Sequence, residues 1–200
     1  MRWGHDLVGT SNLIGTTVAS GRPILVTGSH RSGTTWCGRV LASQPSVFYL
    51  DEPFHPHHPS GVFSTRIERW FQYVDGDLDD RYENALRQTV GLRFNLSRQL
   101  RAALRREQQK APEGWRGVAW AVREWARWTR ARWSEARPLL KDPIALFSAE
   151  WIAKRFDAQV IITVRHPAAF AHSLQRAGWT HDFSSFTEQP AYGRRPGTLC

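Results

Sequence analysis

Two hundred residues, 41% hydrophobic and 22% charged, allow one compact domain spanning 1–200 with a real core, and the two cysteines, Cys37 and Cys200, provide neither a disulfide framework nor a zinc cluster. A formal charge of +9 and a pI of about 10.5 favour polyanionic ligands, whether a bisphosphorylated nucleotide, an acidic glycan, nucleic acid or an anionic membrane, without choosing among them. No window reaches the ~18 to 20 consecutive apolar residues of a spanning helix, and Met1-Arg2-Trp3-Gly4-His5-Asp6 lacks the basic-then-apolar order of a secretory signal, so a cytoplasmic protein without a transmembrane segment is expected.

The first element is a strand over 23–28, where Pro23-Ile24-Leu25-Val26-Thr27 runs into Gly28-Ser29-His30-Arg31-Ser32-Gly33-Thr34-Thr35-Trp36 and then a helix-like segment from about 34 to 43. That order of strand, glycine loop and helix is a phosphate cradle. Gly28 and Gly33 leave room for an anion, which backbone amides meet at the positive end of the helix dipole. In a nucleoside-triphosphatase loop a lysine follows the second glycine; Thr34 stands there here, and the cation is Arg31, inside the turn. A strand over Val47–Leu50 completes a βαβ opening and leads to Asp51, Glu52 and Pro53.

Three prolines in Pro53-x-x-Pro56-x-x-Pro59 exclude regular helix and make a stiff loop that carries His55, His57 and His58. A metal reading of these histidines is weighed and set aside, because no acidic or sulfur partner stands at ligand spacing. From 63 to 135 the pattern is mostly helical, an insertion between two halves of a sheet, with breaks at Asp75-Gly76-Asp77 and Ala111-Pro112-Glu113-Gly114. In its second part Arg123, Arg127 and Arg130 fall within a ~60° arc of the helical wheel and the tryptophans from Trp120 onward take the remaining side. Two readings stay open: a packed helix with a solvated arginine face, or a substrate wall using arginine for anions and tryptophan for sugar or lipid faces. Asn95-Leu96-Ser97 matches a glycosylation acceptor that occurs here by chance.

Leu139-Leu140-Lys141-Asp142-Pro143 resumes the sheet, with Lys141 facing a ligand or Asp142 capping a turn as equal alternatives, and 144–156 reads as a helix. A β-branched strand over 159–164 then leads to Arg165-His166-Pro167, and a further helix carries Ser173. Residues 174–200 end in a segment without strand or helix periodicity.

Taken together, the loop from Arg31 to Thr35 resembles that of sulfotransferases, in which [Lys/Arg]-Ser-Gly-Thr-Thr binds the 5′-phosphate of 3′-phosphoadenylyl sulfate (PAPS). The stretch from Val47 to Pro53 looks like the carbohydrate and tyrosylprotein branches, and Lys-Asp-Pro is similar to bacterial members. The resemblance covers about residues 20–180 and implies an α/β, three-layer α/β/α, P-loop-like domain with a central, mainly parallel sheet and a helical insertion. It implies sulfuryl transfer from PAPS as co-substrate to a hydroxyl, or an amine, with no metal. The donor-binding residues it implies are Arg31, Ser32, Gly33, Thr34, Thr35 and Trp36 at the loop, and Arg165 with Ser173, eight residues on, for the 3′-phosphate.

Glu52 is then the general base, or alternatively an ion-pair partner of Arg31, and Arg31 is also asked to stabilise the leaving phosphate. The expected partners are a small-molecule, glycan or lipid acceptor, with no nucleic acid. Relatives continue further beyond the serine, so the C-terminal part is read as incomplete and self-association is expected. Other readings held beside this one are a catalytically inactive nucleotide- or polyanion-binding relic and a P-loop nucleotide kinase. The kinase is disfavoured by the missing loop lysine.

Overall fold

The computed structural model describes residues 21–74, 80–105, 112–180 and 189. Strands β1 (Ile24–Gly28), β2 (Val47–Asp51), β3 (Arg137–Lys141) and β4 (Gln159–Thr163) form one all-parallel sheet in the order β2-β3-β1-β4. Parallel strands covered on both faces read as continuous apolar runs, and every residue of β1 is buried. Its alternate side chains go to opposite faces. Ile24 and Val26 join Leu139 on the face where helix α1 (Thr34–Leu41) lays Cys37 and Leu41. Leu25 joins Leu50, Leu140 and the main core of the insertion on the other. The result is the three-layer α/β arrangement that the pattern implies.

The insertion contributes α2 (Asp80–Val90), α3 (Leu96–Arg105) and α4 (Gly114–Trp133). Asn95, read as a fortuitous acceptor site, caps α3: its Oδ1 accepts from the Arg98 N–H at 3.0 Å. Residues 63–74 depart from the helical expectation. Phe63, Ile67, Phe71 and Val74 have helix-like spacing and are all buried, but the segment consists of turns and bends, with Phe71 at φ 55°. Side chains hold it in that shape: Ser148 Oγ donates to the Gln72 carbonyl (2.6 Å) and accepts from the Val74 N–H (3.1 Å), and Gln189 Oε1 accepts from the Tyr73 N–H (2.7 Å). Their apolar spacing delivers core burial without a helical backbone. The break at 75–77, the end of the segment read to Lys110, Ala111, and the C-terminal residues 181–188 and 190–200 lie outside the described residues.

Past β3 the expected helix divides into a 3₁₀ segment, Pro143–Ser148, and α5 (Ala149–Phe156). β4 is an edge of the sheet among the described residues, with Ile162 and Val164 exposed, and α6 (Pro167–Ala177) follows it. No described helix is long and apolar enough to cross a membrane. The carboxyl ends of all four strands lie on one side, so Gly28, Asp51, Lys141 and Thr163 come to a common rim. In open parallel sheets that rim is where ligands bind.

Candidate active site

The loop after β1 is shaped by backbone conformations that its residues were chosen to tolerate. Gly28 (φ 146°) sits where a Cβ would collide with the Thr163 carbonyl oxygen and approach the Ser32 hydroxyl to 3.0 Å. Arg31 (φ 59°) makes the left-handed turn. The Ser32 hydroxyl donates to the Ser29 carbonyl (2.5 Å) and lies 2.7 Å from the Thr163 hydroxyl, which pins the loop to β4. Gly33 (φ 100°) caps α1 with no side-chain hydrogen bond, and the first turn of α1 holds no acid. The first-turn amides and the positive helix end therefore have no carboxylate to complement them. Thr34 is buried, while Thr35 and Trp36 are exposed at the mouth of the loop. This is a cradle whose open space and polarity fit a phosphate.

The segment read as the second anion site meets the loop. Arg31 Nε donates to Ser173 Oγ at 3.1 Å, and Arg165 Nη1 donates to the Arg31 carbonyl oxygen at 2.8 Å. Two stretches more than 130 residues apart thus share one cluster. His166 caps α6: its Nδ1 accepts the Ala168 N–H at 3.2 Å, with Pro167 in the first turn of the helix. Trp179, just past the C-capping Gly178, lies under the Arg31 guanidinium, 5.7 Å from the ring centre. Sequence reasoning missed Trp179. The only signal for it was an aromatic residue directly after a helix-ending glycine.

At the other side of the rim, Glu52 (φ 44°) donates its N–H to the Lys141 carbonyl (2.9 Å), and its carboxylate accepts from Lys141 Nζ (2.8 Å). Asp51 takes the same ammonium at 2.6 Å. The ion pair weighed for Glu52 with Arg31 is therefore made with Lys141, a residue that the sequence left between two roles. The Lys141 side chain is buried, and its stem packs against α1, where a Cβ on Gly38 would come within 3.1 Å of Lys141 Cγ. Burial pulls the Lys141 pKa down, but hydrogen bonds and charge from Asp51 and Glu52 outweigh it, so the ammonium is held above its ordinary value. Lys141 thereby links the candidate base to the loop helix.

Asp142 caps the 3₁₀ segment, and its carboxylate accepts from the Ile144 (3.0 Å), Ala145 (3.2 Å) and Phe54 (2.6 Å) N–H groups. It fixes the start of the histidine loop to the end of β3. Burial pushes its pKa up to about 7 against those three donors, with the Glu52 charge adding to the rise. Between the ordinary value of 3.8 and about 7 the folded form holds a proton that the unfolded chain has lost, so this contribution to stability falls as pH rises through that window and is flat beyond it. Asp142→Asn should cost about 2 kcal/mol, because the amide presents a donor to a buried N–H, and it should flatten the pH dependence of thermal unfolding across the same window.

The histidines serve the loop. His55 is buried against Trp70 and its Nδ1 accepts from the His57 N–H (3.0 Å), while the ring nitrogens of His58 reach the Pro59 and Thr65 carbonyls, both at 3.1 Å. Burial lowers the His58 pKa despite those carbonyls. On α4 the tryptophans do not share one environment: Trp128 packs against Phe48 and Phe94 with 1% exposure, whereas Trp115, Trp125 and Trp133 face outward. Arg127 stacks on Phe48 at 4.3 Å and pairs with Glu124.

The sequence matches a family model, that of the sulfotransferase family, over residues 23–195, which extends past the residue-180 limit of the resemblance read from motifs. No curated protein and no solved structure shows a significant match.

Proposed function

The chain belongs to the sulfotransferase family, and from that premise and the geometry of the rim we propose that it moves a sulfuryl group from PAPS to an acceptor hydroxyl. The observation that supports the donor assignment is the cluster of Arg31, Arg165 and Ser173, which joins the loop after β1 to the segment between β4 and α6 through direct hydrogen bonds. In this reading the α1 amides, Ser32, Gly33 and the hydroxyls of Thr34 and Thr35 bind the 5′-phosphate, while Arg165 and Ser173 bind the 3′-phosphate. Trp36 and Trp179 offer exposed ring faces beside it.

The donor supplies the sulfuryl group and departs as 3′,5′-bisphosphoadenosine. A new S–O bond forms to the acceptor oxygen as the S–O bond to the 5′-phosphate breaks. Negative charge grows on that phosphate oxygen, to be met by Arg31 and the helix end, and the acceptor proton goes to Glu52. Lys141 holds the Glu52 carboxylate oriented for that transfer. The protein's own cations supply the positive charge this reaction needs.

Titration calorimetry tests the reading. The protein should bind 3′,5′-bisphosphoadenosine without metal and in preference to ATP with magnesium; the reverse preference would sink it in favour of a kinase. Arg165→Ala removes a charge-assisted contact and should weaken bisphosphate binding by about 10- to 150-fold, and Ser173→Ala, a neutral hydrogen bond, by about 2- to 10-fold. Parent-like binding by both variants would show that the second phosphate lies elsewhere.

A further inference from the structure

The outward face of α4 has no place in the sulfuryl-transfer reading. At ~100° per residue, Trp115, Ala119, Val122, Ala126 and Trp133 fall along one stripe of the helix, away from the buried Gly117, Ala121, Trp128 and Ala131. Trp115 is 75% and Trp133 83% exposed, and Val122 is exposed between them. From the first tryptophan to the last the stripe runs roughly 27 Å at ~1.5 Å per residue. Beside it Arg116, Arg123 and Arg130 recur every seventh residue, and Arg132 lies on the opposite flank. The helix carries five arginines and one acid, Glu124, which Arg127 engages. Arg116 stacks over Trp115 at 5.5 Å.

We propose that this face docks the protein, lying flat, on a bilayer surface rich in anionic headgroups. The charge balance argues for that occupant. An apolar line ended by indole rings and edged by arginines matches a surface whose acyl boundary lies just under a negative layer. An acidic protein or nucleic acid would satisfy the arginines and leave the exposed Trp and Val stripe without a counterpart. The inference stands apart from the donor and base assignments, since none of these residues belongs to the rim.

Co-sedimentation of the full chain with vesicles tests it, using three parts phosphatidylcholine to one part phosphatidylserine against phosphatidylcholine alone. The parent should partition at least tenfold more strongly onto the anionic vesicles and lose most of that binding at about 1 M salt, where charges are screened within ~3 Å. The combined variant Arg116→Glu, Arg123→Glu, Arg130→Glu should lose about 100-fold or more. Trp115→Ser with Trp133→Ser should lose about tenfold and keep the salt dependence. Circular dichroism melting checks that each variant folds, and Trp133→Ser alone, at the helix end, serves where a multiple variant does not. Equal binding to neutral vesicles, no binding to either kind, or parent-like binding by folded variants would overturn the proposal. So would light scattering that shows a parent dimer dispersed by the same substitutions without vesicle binding, which would assign the face to a contact between copies.

Discussion

Glu52→Gln is expected to lower turnover by about 10² to 10⁴ while bisphosphate affinity stays within a few-fold of the parent. The substitution keeps the size of the side chain and removes the proton acceptor. Its structural cost should be small, because Asp51 remains on Lys141 at 2.6 Å and the backbone bond from Glu52 to the Lys141 carbonyl does not depend on the side chain. That separation makes the result informative. Loss of turnover with unchanged melting and unchanged donor binding marks Glu52 as the base, and a parallel fall in stability and donor affinity would make the ion pair structural. Lys141→Met should lower both the melting temperature and turnover, since Asp51 and Glu52 are then left at the rim without the ammonium that they share and that holds the Glu52 carboxylate in place. Parent-like turnover in that variant would remove Lys141 from any role in positioning Glu52.

Gly28→Ala should be the most damaging single-atom change in the fold, at a cost on the order of 4 kcal/mol. Two effects add. The residue holds φ 146°, a region in which an L side chain is strained, and its Cβ would meet the Thr163 carbonyl, backbone that cannot rotate away, as well as the Thr163 hydroxyl at 2.6 Å. Relief requires the loop to part from β4, which also breaks the Ser32 to Thr163 contact and moves Arg31 away from Ser173. Thermal unfolding and bisphosphate titration should therefore fail together. Gly33→Ala is the useful contrast, because φ 100° strains it but no atom lies within 4 Å of its Cβ. Parent-like stability in Gly28→Ala would mean that the β1 to β4 approach at this point is looser than described.

Much of the sheet was readable because buried parallel strands leave unbroken apolar runs, and the two segments that meet at Arg31, Arg165 and Ser173 could be singled out because glycine, arginine and hydroxyl residues stood at fixed offsets beside those runs. Three things were hidden for different physical reasons. Residues 63–74 carry apolar positions at helical spacing, but Ser148 and Gln189, both distant in sequence, hold that backbone in turns. The Lys141 partnership with Glu52 depends on β2 and β3 being neighbours, a choice of strand order that no local pattern encodes. On α4 spacing alone could not tell Trp128, which meets Phe48 and Phe94, from Trp133, which meets solvent beside the arginines. The family match supports the chemistry inferred from the loop and leaves the individual roles of Glu52, Arg165 and Ser173 to the substitutions above.

The strand order also sets when the site can exist during synthesis. β1 precedes both of its sheet neighbours, β3 and β4, by more than a hundred residues, so its ladder hydrogen bonds wait until those strands are made. The phosphate loop waits with it, because Thr163, Arg165 and Ser173 supply the contacts that give Arg31 and Ser32 their positions. A nascent chain stopped before residue 159 would hold the loop sequence without the loop's shape. Under the donor assignment proposed above, ligand capture would become the closing event of folding, and a nucleotide bridging β1 and α6 would act as a staple between distant parts of the described chain. By mass action it should slow unfolding of the edge strand that has least cover of its own.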